Sequence, residues 1–383
     1  MYRKIMEYLK KWKESKYRKP LILQGARQVG KTYTVLEFGR EYYENVAYFN
    51  FETNPSLNKT FDENITPDYL IPILSHIAGV TIVSEKTLIV FDEIQLCERA
   101  LTSLKYFCEN APQYHIIVAG SLLGVAVNST FSFPVGKVDI KTMYPMDIEE
   151  FMIAMGNKDL TEMIRKSFES NAPMPAALHD ICMQLYRQYL VVGGMPECVS
   201  LFAQTKDYVL VRHNQDTILA SYLNDMSKYN NLNEIKKTRL AYDNITVELS
   251  KKNTRFQYKL IKKGGRASEF ENAIEWLNLS GIVSQVYKAE QIKKPLENYR
   301  DIDSFKIYVS DSGLLCAKKS LSANDVLYMV DEINEFKGGM TENYVNVQLT
   351  INGHKTYYWE SDRGAEIDFI IQRASDIIPI EVK

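Results

Sequence analysis

The first third of the chain alternates short apolar runs with amphipathic helical patterns. Five apolar runs stand out: Leu21–Gln24, Val46–Phe51, Thr87–Phe91, Ile116–Ala119 and Val138–Ile140. Short apolar runs separated by helical periodicity are typical of parallel strands connected by helices. The pattern therefore predicts an α/β fold with a mostly parallel sheet.

The rest of the chain changes pattern twice. From Glu149 to Ser227 the periodicity is helical, interrupted by Gly193-Gly194-Met195-Pro196. Helical segments then precede a hairpin-like pair of runs, Ile282–Tyr287 and Phe305–Val309, and the segment Thr341–Lys383 reads as a helix followed by three strands. A length of 383 residues predicts two to three domains. We place them at residues 1–205, 206–320 and 321–383.

Composition excludes several classes of protein. Apolar residues make up 45% of the chain, and 46 basic against 48 acidic residues leave a net charge of −2. This balance excludes a histone-like polycation and a disordered acidic chain. No apolar run approaches the ~18 residues of a membrane span, and the N-terminus lacks the apolar core of a signal peptide. Five scattered cysteines without C-x-x-C fit a reducing compartment, so we expect a cytoplasmic protein.

The N-terminal segment 1–19 is locally basic. It holds eight Lys or Arg residues and two Glu, with Ile5, Met6, Leu9 and Trp12 on one helical side. We predict an amphipathic helix packed on the first domain with a solvated basic face. Contact with a membrane surface or a nucleic acid is the alternative.

A phosphate-binding loop is the strongest motif in the chain. The run Gly25-Ala26-Arg27-Gln28-Val29-Gly30-Lys31-Thr32 matches G-x-x-x-x-G-K-[ST] at every fixed position, between an apolar strand and a helix. Its backbone N–H groups and the helix N-terminus would face a phosphate. Lys31 would bind the β- and γ-phosphates, and the Thr32 hydroxyl would bind Mg²⁺.

Two carboxylates follow a second predicted strand. Asp92 at the strand end is suited to the Mg²⁺ shell, and the adjacent Glu93 to activation of a water molecule. This pairing favours hydrolysis over transfer to a small molecule. Guanine recognition by N-K-x-D has no match, because Asn157-Lys158-Asp159-Leu160 has the wrong spacing. We therefore expect ATP as the nucleotide.

The middle of the chain carries a basic segment. Residues Lys236 to Arg266 include ten Lys or Arg against two acidic residues. A helix, a glycine turn, a second helix and a two-stranded wing form the winged-helix order. Such a domain could bind DNA phosphates through Lys262, Lys263 and Arg266. Protein contact is the alternative, because acidic residues weaken a groove-binding helix: Glu269, Glu271 and Glu275.

The C-terminal segment resembles the PD-(D/E)xK nuclease signature. Asp368 opens one predicted strand, and Glu381 and Lys383 lie two apart on the next, which places them on one face. Asp368 and Glu381 could bind Mg²⁺ with Lys383 beside the metal-bound water, and Glu342 matches an extra acid of these folds. The alternatives are a nuclease-like scaffold and charges that pair without metal. The helix expected after this strand is missing, so we expect the natural chain to continue beyond Lys383.

Several segments together resemble one family. GARQVGKT, LIVFDEIQ, AGS, YPMDIEEF and YLVVGGMPE occur in this order. They are similar to bacterial and archaeal AAA-type ATPases that carry a C-terminal domain with a restriction-endonuclease-like signature. The resemblance implies an AAA-type sheet with a helical lid in domain 1, a winged-helix domain and a partial nuclease-like domain.

The resemblance also implies roles for further residues. Ser121 would sense the γ-phosphate, and by similarity to NLR-like (STAND) signalling ATPases Gly194 and Pro196 would lie near adenine. The arginine that completes such sites has no motif, and the candidates are Arg99, Arg187 and Arg212. The implied function is a nucleotide-driven switch acting on DNA, with assembly into a homo-oligomer as a further expectation. The alternative is a STAND-like signalling ATPase whose C-terminal domains contact proteins.

Overall fold

The chain folds into two compact units. The computed structural model describes residues 1–121, 134–227, 232–249, 256–261, 265–361 and 363–382. One unit comprises Arg3–Tyr144, and the other comprises Pro145–Lys383 together with the first two residues. The division falls inside the segment predicted as the first domain, and the finer domain boundaries stay predictions.

A parallel sheet forms the centre of the first unit. Its strands are β1 (Leu21–Gly25), β2 (Asn45–Asn50), β3 (Thr87–Asp92), β4 (His115–Ser121) and β5 (Asp139–Thr142). They pair in the order β2-β3-β4-β1-β5, and every pairing is parallel. The described helices of this unit are α1 (Ile5–Glu14), α2 (Lys31–Tyr42), α3 (Leu57–Glu63), α4 (Pro67–Ala78) and α5 (Glu98–Asn110). The predicted mostly parallel α/β sheet is confirmed.

Burial explains why β3 reads as a continuous apolar run. All six of its residues are buried, as expected for a central parallel strand covered on both faces. Phe91 of β3 packs against three other phenylalanines, Phe49, Phe51 and Phe61, with ring centroids 5.7 to 5.9 Å apart. Such close aromatic contacts bury large apolar areas and fix the strand against its helices.

The basic N-terminal segment forms the predicted helix, α1. Leu9 and Trp12 are buried on its apolar side. The Trp12 indole donates a hydrogen bond to the backbone oxygen of Lys19 at 2.9 Å. The helix is therefore packed within the first unit, as its apolar spacing predicts.

The second unit begins with helices. They are α6 (Ile148–Ala154), α7 (Lys158–Ser170), α8 (Ala176–Val192), α9 (Pro196–Thr205), α10 (Tyr208–Met226), α11 (Leu232–Glu248), α12 (Tyr258–Ile261), α13 (Ala267–Leu279), α14 (Ser312–Lys318), α15 (Ala323–Leu327) and α16 (Asn334–Ile351). Among the described residues of either unit, no helix has both the length and the apolar character needed to cross a membrane.

A second sheet combines strands from distant parts of the chain. Its strands are β6 (Val283–Ala289), β7 (Arg300–Val309), β8 (Thr356–Glu360), β9 (Glu366–Arg373) and β10 (Asp376–Ile380). They lie in the order β10-β9-β8-β6-β7, with a parallel pairing between β6 and β8. The predicted hairpin of β6 and β7 is present, but these strands continue into the C-terminal sheet and do not form a free wing.

A buried aspartate, Asp311, helps to hold the Gly193-Gly194 turn of the second unit. Asp311 accepts hydrogen bonds from the backbone N–H of Gly194 at 2.6 Å and of Leu314 at 2.8 Å. Its burial raises the pKa of this carboxyl to about 6. The Gly194 oxygen in turn accepts a hydrogen bond from the N–H of Met146 at 2.6 Å. The Gly193-Gly194 turn is therefore held between two other backbone segments.

Gly194 has no space for a side chain. A Cβ atom there would lie 2.0 Å from the backbone oxygen of Met146, far inside van der Waals contact. Real Cβ atoms do not approach a backbone oxygen this closely, so one of the two backbone segments would have to shift. The close approach of the two segments therefore requires glycine at this position.

We predict that Gly194→Ala destabilises the protein by about 2–4 kcal/mol, because the buried junction must open to admit the methyl group. The measurement is denaturant unfolding of the full chain. The control is Gly338→Ala on α16, where a Cβ would meet no atom within 4 Å. That change should be neutral or stabilise by about 0.5–1 kcal/mol, and equal effects of the two substitutions would contradict this account of the junction.

Candidate functional site

The glycine-rich loop runs from the end of β1 to the start of α2, as the motif predicts. A Cβ at Gly25 would lie 2.1 Å from the backbone oxygen of Met143. Only glycine therefore fits at this position, where the chain passes from β1 into the loop. Gly30 precedes the helix with a φ of 90°. The first turn of α2 therefore begins directly at Lys31, with its free N–H groups at the loop.

Lys31 lies inside this loop. Its ammonium group donates to the backbone oxygens of Gly25 at 3.0 Å and Ala26 at 2.8 Å. Burial lowers its pKa to about 8, and the nearby Glu93 and Asp92 carboxylates partly offset that effect. At neutral pH the side chain is therefore mainly a cation, positioned among the backbone groups that would surround a phosphate.

Asp92 accepts hydrogen bonds from three groups of the site. It is buried at the end of β3, and its Oδ2 accepts hydrogen bonds from the hydroxyls of Thr32 at 2.9 Å and Tyr48 at 2.8 Å. Its Oδ1 accepts from the backbone N–H of Glu93 at 3.0 Å. The structure thus brings the predicted Thr32 and Asp92 together and adds Tyr48, which sequence reasoning missed.

Glu93 takes an unusual backbone conformation beside Asp92. Its φ is 53°, in the left-handed region that non-glycine residues seldom adopt. Its carboxylate accepts a close hydrogen bond from the Gln95 side-chain amide. Backbone conformations of this kind are concentrated at functional positions. At Glu93 the positive φ ends the extended course of β3.

The oxygen atoms at this edge suit the predicted metal. A hydroxyl and a carboxylate 2.9 Å apart are the hard oxygen donors that Mg²⁺ prefers, completed in proteins by water and phosphate. Thr32 and Asp92 therefore fit the ion. In the described parts of the chain, no group of three or more His, Cys, Asp or Glu side chains is arranged to hold a metal.

Arg3 braces the loop from the N-terminal segment. Its guanidinium donates to the backbone oxygen of Val29 at 3.0 Å and to that of Tyr144 at 2.7 Å. Arg3 is buried. This differs from the prediction, which placed the basic residues of segment 1–19 on a solvated face. It ties the phosphate loop to the chain that follows β5.

Ser121 ends β4 next to the loop. Its backbone pairs with Gly25 in the parallel register, so the strand tip lies where the resemblance implies. The side chain falls outside the part of the structure that is described, as do residues 122–133. Its role as a phosphate sensor stays a prediction.

The three candidate arginines contact backbone oxygens of their own units. Arg99 donates to Phe61 at 2.7 Å, Arg187 to Leu327 at 3.4 Å and Arg212 to Leu321 at 2.6 Å. These bonds show how each guanidinium is held. A role for any of them at a nucleotide stays untested.

Pro196 starts helix α9 at the first helical position, where proline is favoured. Gly194, two residues before it, is required by the close approach to the backbone oxygen of Met146. Pro196 and Gly194 belong to the second unit, and their predicted contact with adenine stays a prediction.

The candidate nuclease residues are only partly brought together. Glu342 accepts a hydrogen bond from the Tyr308 hydroxyl at 2.9 Å, and the Lys306 ammonium lies 3.7 Å from the same carboxylate oxygen. Burial raises the pKa of Glu342, and the Asp368 carboxylate adds to this effect. The two acids are therefore near one another in the second unit, beside a lysine that the motif did not include.

Glu381 differs from its predicted place. β10 ends at Ile380, so Glu381 follows the strand and is exposed, while Asp368 lies inside β9 and is buried. Asp368 accepts a hydrogen bond from the Val382 N–H at 2.8 Å. Lys383 lies outside the described residues, and the predicted alternation of Glu381 and Lys383 along one strand is not supported at Glu381.

Of the three residues predicted to contact DNA, the described part of the structure includes Arg266. Lys262 and Lys263 fall in the undescribed segment 262–264. Arg266 directly precedes α13 and is exposed. Phe270, Ile274 and Leu277 form the buried face of this helix, as their spacing predicts.

Family models match three stretches of the chain. Residues 17–152 match a model described as an AAA domain. Residues 183–325 and 337–383 match two models described as domains of unknown function, DUF8612 and DUF4143. The phosphate loop, Asp92 and Glu93 therefore lie within the stretch that is similar to AAA domains. A comparison with curated proteins gives no match.

Solved structures resemble the chain only distantly. PCH-2 of C. elegans is 11% identical with a TM-score of 0.31, covering 53% of this chain and 62% of that chain. ORC1 of Aeropyrum pernix in complex with DNA is 11% identical with a TM-score of 0.30, covering 85% and 90%. AMPPCP-bound DnaA from Aquifex aeolicus is 14% identical with a TM-score of 0.31, covering 71% and 86%. Likenesses at this level carry no inference about activity or partners.

Proposed function

We propose that this protein binds ATP with Mg²⁺ and hydrolyses it at the edge of the first sheet. The observation that carries the proposal is the 2.9 Å contact between the Thr32 hydroxyl and Asp92, next to the Lys31 cation in the phosphate loop. A cation and a hydroxyl at the N-terminus of α2, facing paired carboxylates at the end of β3, form the set that phosphoryl transfer requires. The match of residues 17–152 to a model described as an AAA domain agrees with the proposal.

Each residue has a distinct task in this reaction. Lys31 exchanges the loop oxygens of Gly25 and Ala26 for phosphate oxygens, and backbone N–H groups of the loop hold the remaining charge. Glu93 accepts the proton of the attacking water. Gln95 holds the Glu93 carboxylate and must release or reorient it for that step.

Mg²⁺ would be held through Thr32 and Asp92, and when bound it neutralises charge that develops on the phosphate oxygens. Asp92 keeps its orientation through the Glu93 N–H at 3.0 Å. The predicted role of Ser121 as a γ-phosphate sensor belongs to the same proposal.

We predict that Lys31→Ala abolishes measurable ATP binding. Loss of a buried charge partner of the phosphates costs about 2–5 kcal/mol, which is at least ~30-fold in the dissociation constant. Binding of a fluorescent ATP analogue measures it. Lys59→Ala on α3, an exposed lysine of the same unit, is the control and should bind as the parent does. An unchanged affinity of Lys31→Ala would overturn the assignment of the loop.

We predict that Glu93→Gln retains ATP but loses turnover by about 10²–10⁴-fold, because the base is removed while the phosphate contacts remain. Phosphate release and nucleotide affinity are measured on the same sample. Glu52→Gln, an exposed carboxylate two residues after β2, should leave both unchanged. Hydrolysis at the parent rate in Glu93→Gln would show that another residue activates the water.

We further propose that ATP turnover drives action on DNA. The support is electrostatic: residues 236–266 carry ten basic and two acidic side chains in a chain with a net charge of −2. Arg266 is exposed at the start of α13, where a cation can reach a phosphate without desolvation of its stem. Together with Lys262 and Lys263 it would supply contacts that do not depend on sequence.

A specific observation favours the alternative, a STAND-like signalling ATPase. Glu271 and Glu275 are exposed on α13, on the side away from its buried face. An acidic helix face repels DNA and suits a protein partner. In this alternative ATP drives assembly of the chain into a homo-oligomer, and the second unit contacts proteins.

We predict that the full chain binds duplex DNA, and that the triple change Lys262→Glu, Lys263→Glu and Arg266→Glu weakens binding for all sequences and lowers its salt dependence. Titration at several salt concentrations measures this. A triple control reverses exposed charges elsewhere in the second unit: Lys158→Glu, Lys166→Glu and Arg363→Glu. Equal losses in the two triples would contradict a local DNA site.

The same experiment separates the alternative. Absence of DNA binding at low salt, together with an ATP-dependent increase in mass by light scattering, would favour the signalling function. ATP turnover stimulated by DNA would favour action on DNA.

Metal-dependent DNA cleavage by the C-terminal sheet stays a hypothesis and is not part of this proposal. Asp368 is bonded to the Val382 N–H, and Glu381 is exposed beyond the end of β10. Two neighbouring acids, Glu342 and Asp368, remain consistent with the hypothesis but do not by themselves define a metal site.

A further inference from the structure

Among the described side chains, two donate to Asp92, and the phosphate-loop motif accounts for Thr32 but not for Tyr48. Its hydroxyl lies 2.8 Å from Asp92 Oδ2, the oxygen that also accepts from Thr32. We propose that Tyr48 is a positioning residue for the metal site: it fixes the orientation of the Asp92 carboxylate, and thereby sets how tightly Mg²⁺ binds with the nucleotide. The inference rests on the proposed ATP and Mg²⁺ binding and adds a residue to it.

A neighbour helps to hold the Tyr48 hydroxyl. Because a carboxylate oxygen accepts, the Tyr48 hydroxyl is the donor in its contact with Asp92. The Asn50 amide donates to the Tyr48 oxygen at 3.2 Å. Asn50 is held in turn, since its Oδ1 accepts from the N–H groups of Glu52 and Thr53, each at 2.9 Å. A turn after β2 therefore orients Asn50, which orients Tyr48, which orients Asp92.

Strand register brings these groups together. β2 and β3 are parallel, with Asn50 opposite Asp92 and Tyr48 opposite Val90. Tyr48 and Asn50 are two apart on one strand and so share a face. A long side chain from Tyr48 can then reach along the sheet to the carboxylate of the neighbouring strand.

Packing of the core does not account for Tyr48. Tyr48 is 37% exposed, whereas its neighbours Ala47 and Phe49 are 0% and 2% exposed. The hydroxyl, and not the ring, makes the contact that matters. Removal of that one atom should therefore leave the fold intact.

The Tyr48 contact does not compete with the ion. Thr32 would offer a lone pair of its hydroxyl oxygen to Mg²⁺, and its proton can still be donated to Asp92. Tyr48 is the second described side-chain donor to the same Asp92 oxygen, and it takes no part in holding the ion itself. Hydrogen bonds to the groups that hold a metal fix their orientation, and their loss typically costs about 10–100-fold in metal affinity.

The test is Tyr48→Phe in the full chain, with Tyr33→Phe as the matched control. Tyr33 is an exposed tyrosine beside Thr32 on α2, so the control removes a hydroxyl of the same kind near the same site. Affinity for a fluorescent ATP analogue is measured with EDTA and along a Mg²⁺ titration. Thermal unfolding of both variants checks the fold.

The expected result is specific. Tyr48→Phe should bind the analogue in EDTA as the parent does, but require about tenfold or more Mg²⁺ for the half-maximal effect. Tyr33→Phe should match the parent in both. The steady-state hydrolysis rate should show the same shift in Mg²⁺ dependence.

Two outcomes would overturn the inference. One is a Mg²⁺ dependence of Tyr48→Phe equal to that of the parent. The other is an equal loss of affinity in EDTA and in Mg²⁺, which would assign Tyr48 to nucleotide binding or to the fold. A parent protein that shows no Mg²⁺-dependent binding at all would instead refute the proposed function.

Discussion

The parallel register of the first sheet is the constraint on which the candidate site depends. Gly25 pairs with Ser121, Asp92 with Ala119 and Asn50 with Asp92. Parallel strands end at the same edge, so the phosphate loop, the acidic pair and the tip of β4 meet there. A slip of one residue in β3 would turn the Asp92 side chain to the other face and separate it from Thr32.

Local patterns predicted the elements well, whereas their long-range pairing had no local signal. The apolar runs predicted every strand of the first sheet to within a residue or two. The signal is clearest in β3, because a strand that is buried on both faces must be mainly apolar. The parallel pairing of β6 with β8 joins segments about 70 residues apart, so a hairpin predicted as a wing became part of the C-terminal sheet. Glu381 shows the same limit, since spacing places residues on one face only while the strand lasts.

The candidate site likewise contains residues with a local sequence signal and residues without one. The positions of Lys31, Thr32 and Asp92 could be predicted, because the motifs tie each residue to a fixed place in a loop or at a strand end. Arg3 could not, because the backbone oxygens it contacts are 26 and 141 residues away in sequence. Tyr48 stood in an apolar run that indicated core. Its alternation with the buried Ala47 and Phe49 was the available signal that it faces elsewhere.

Every charged group of the site already has a partner within the protein, and this shapes what binding must do. Lys31 is bonded to two loop oxygens, Asp92 to two hydroxyls, and Glu93 to the Gln95 amide. A phosphate can accept hydrogen bonds from Lys31 only if Lys31 gives up its bonds to these backbone oxygens. The affinity for a phosphate therefore depends on the difference between the bonds formed and the bonds broken, and not on the number of bonds formed. Under the proposed function this exchange would favour a polyanion, because a ligand of high charge density competes best with neutral backbone oxygens for the half-buried Lys31 cation. The Tyr48 bond to Asp92 requires no such exchange, which allows it to hold the carboxylate steady while Lys31 changes partners.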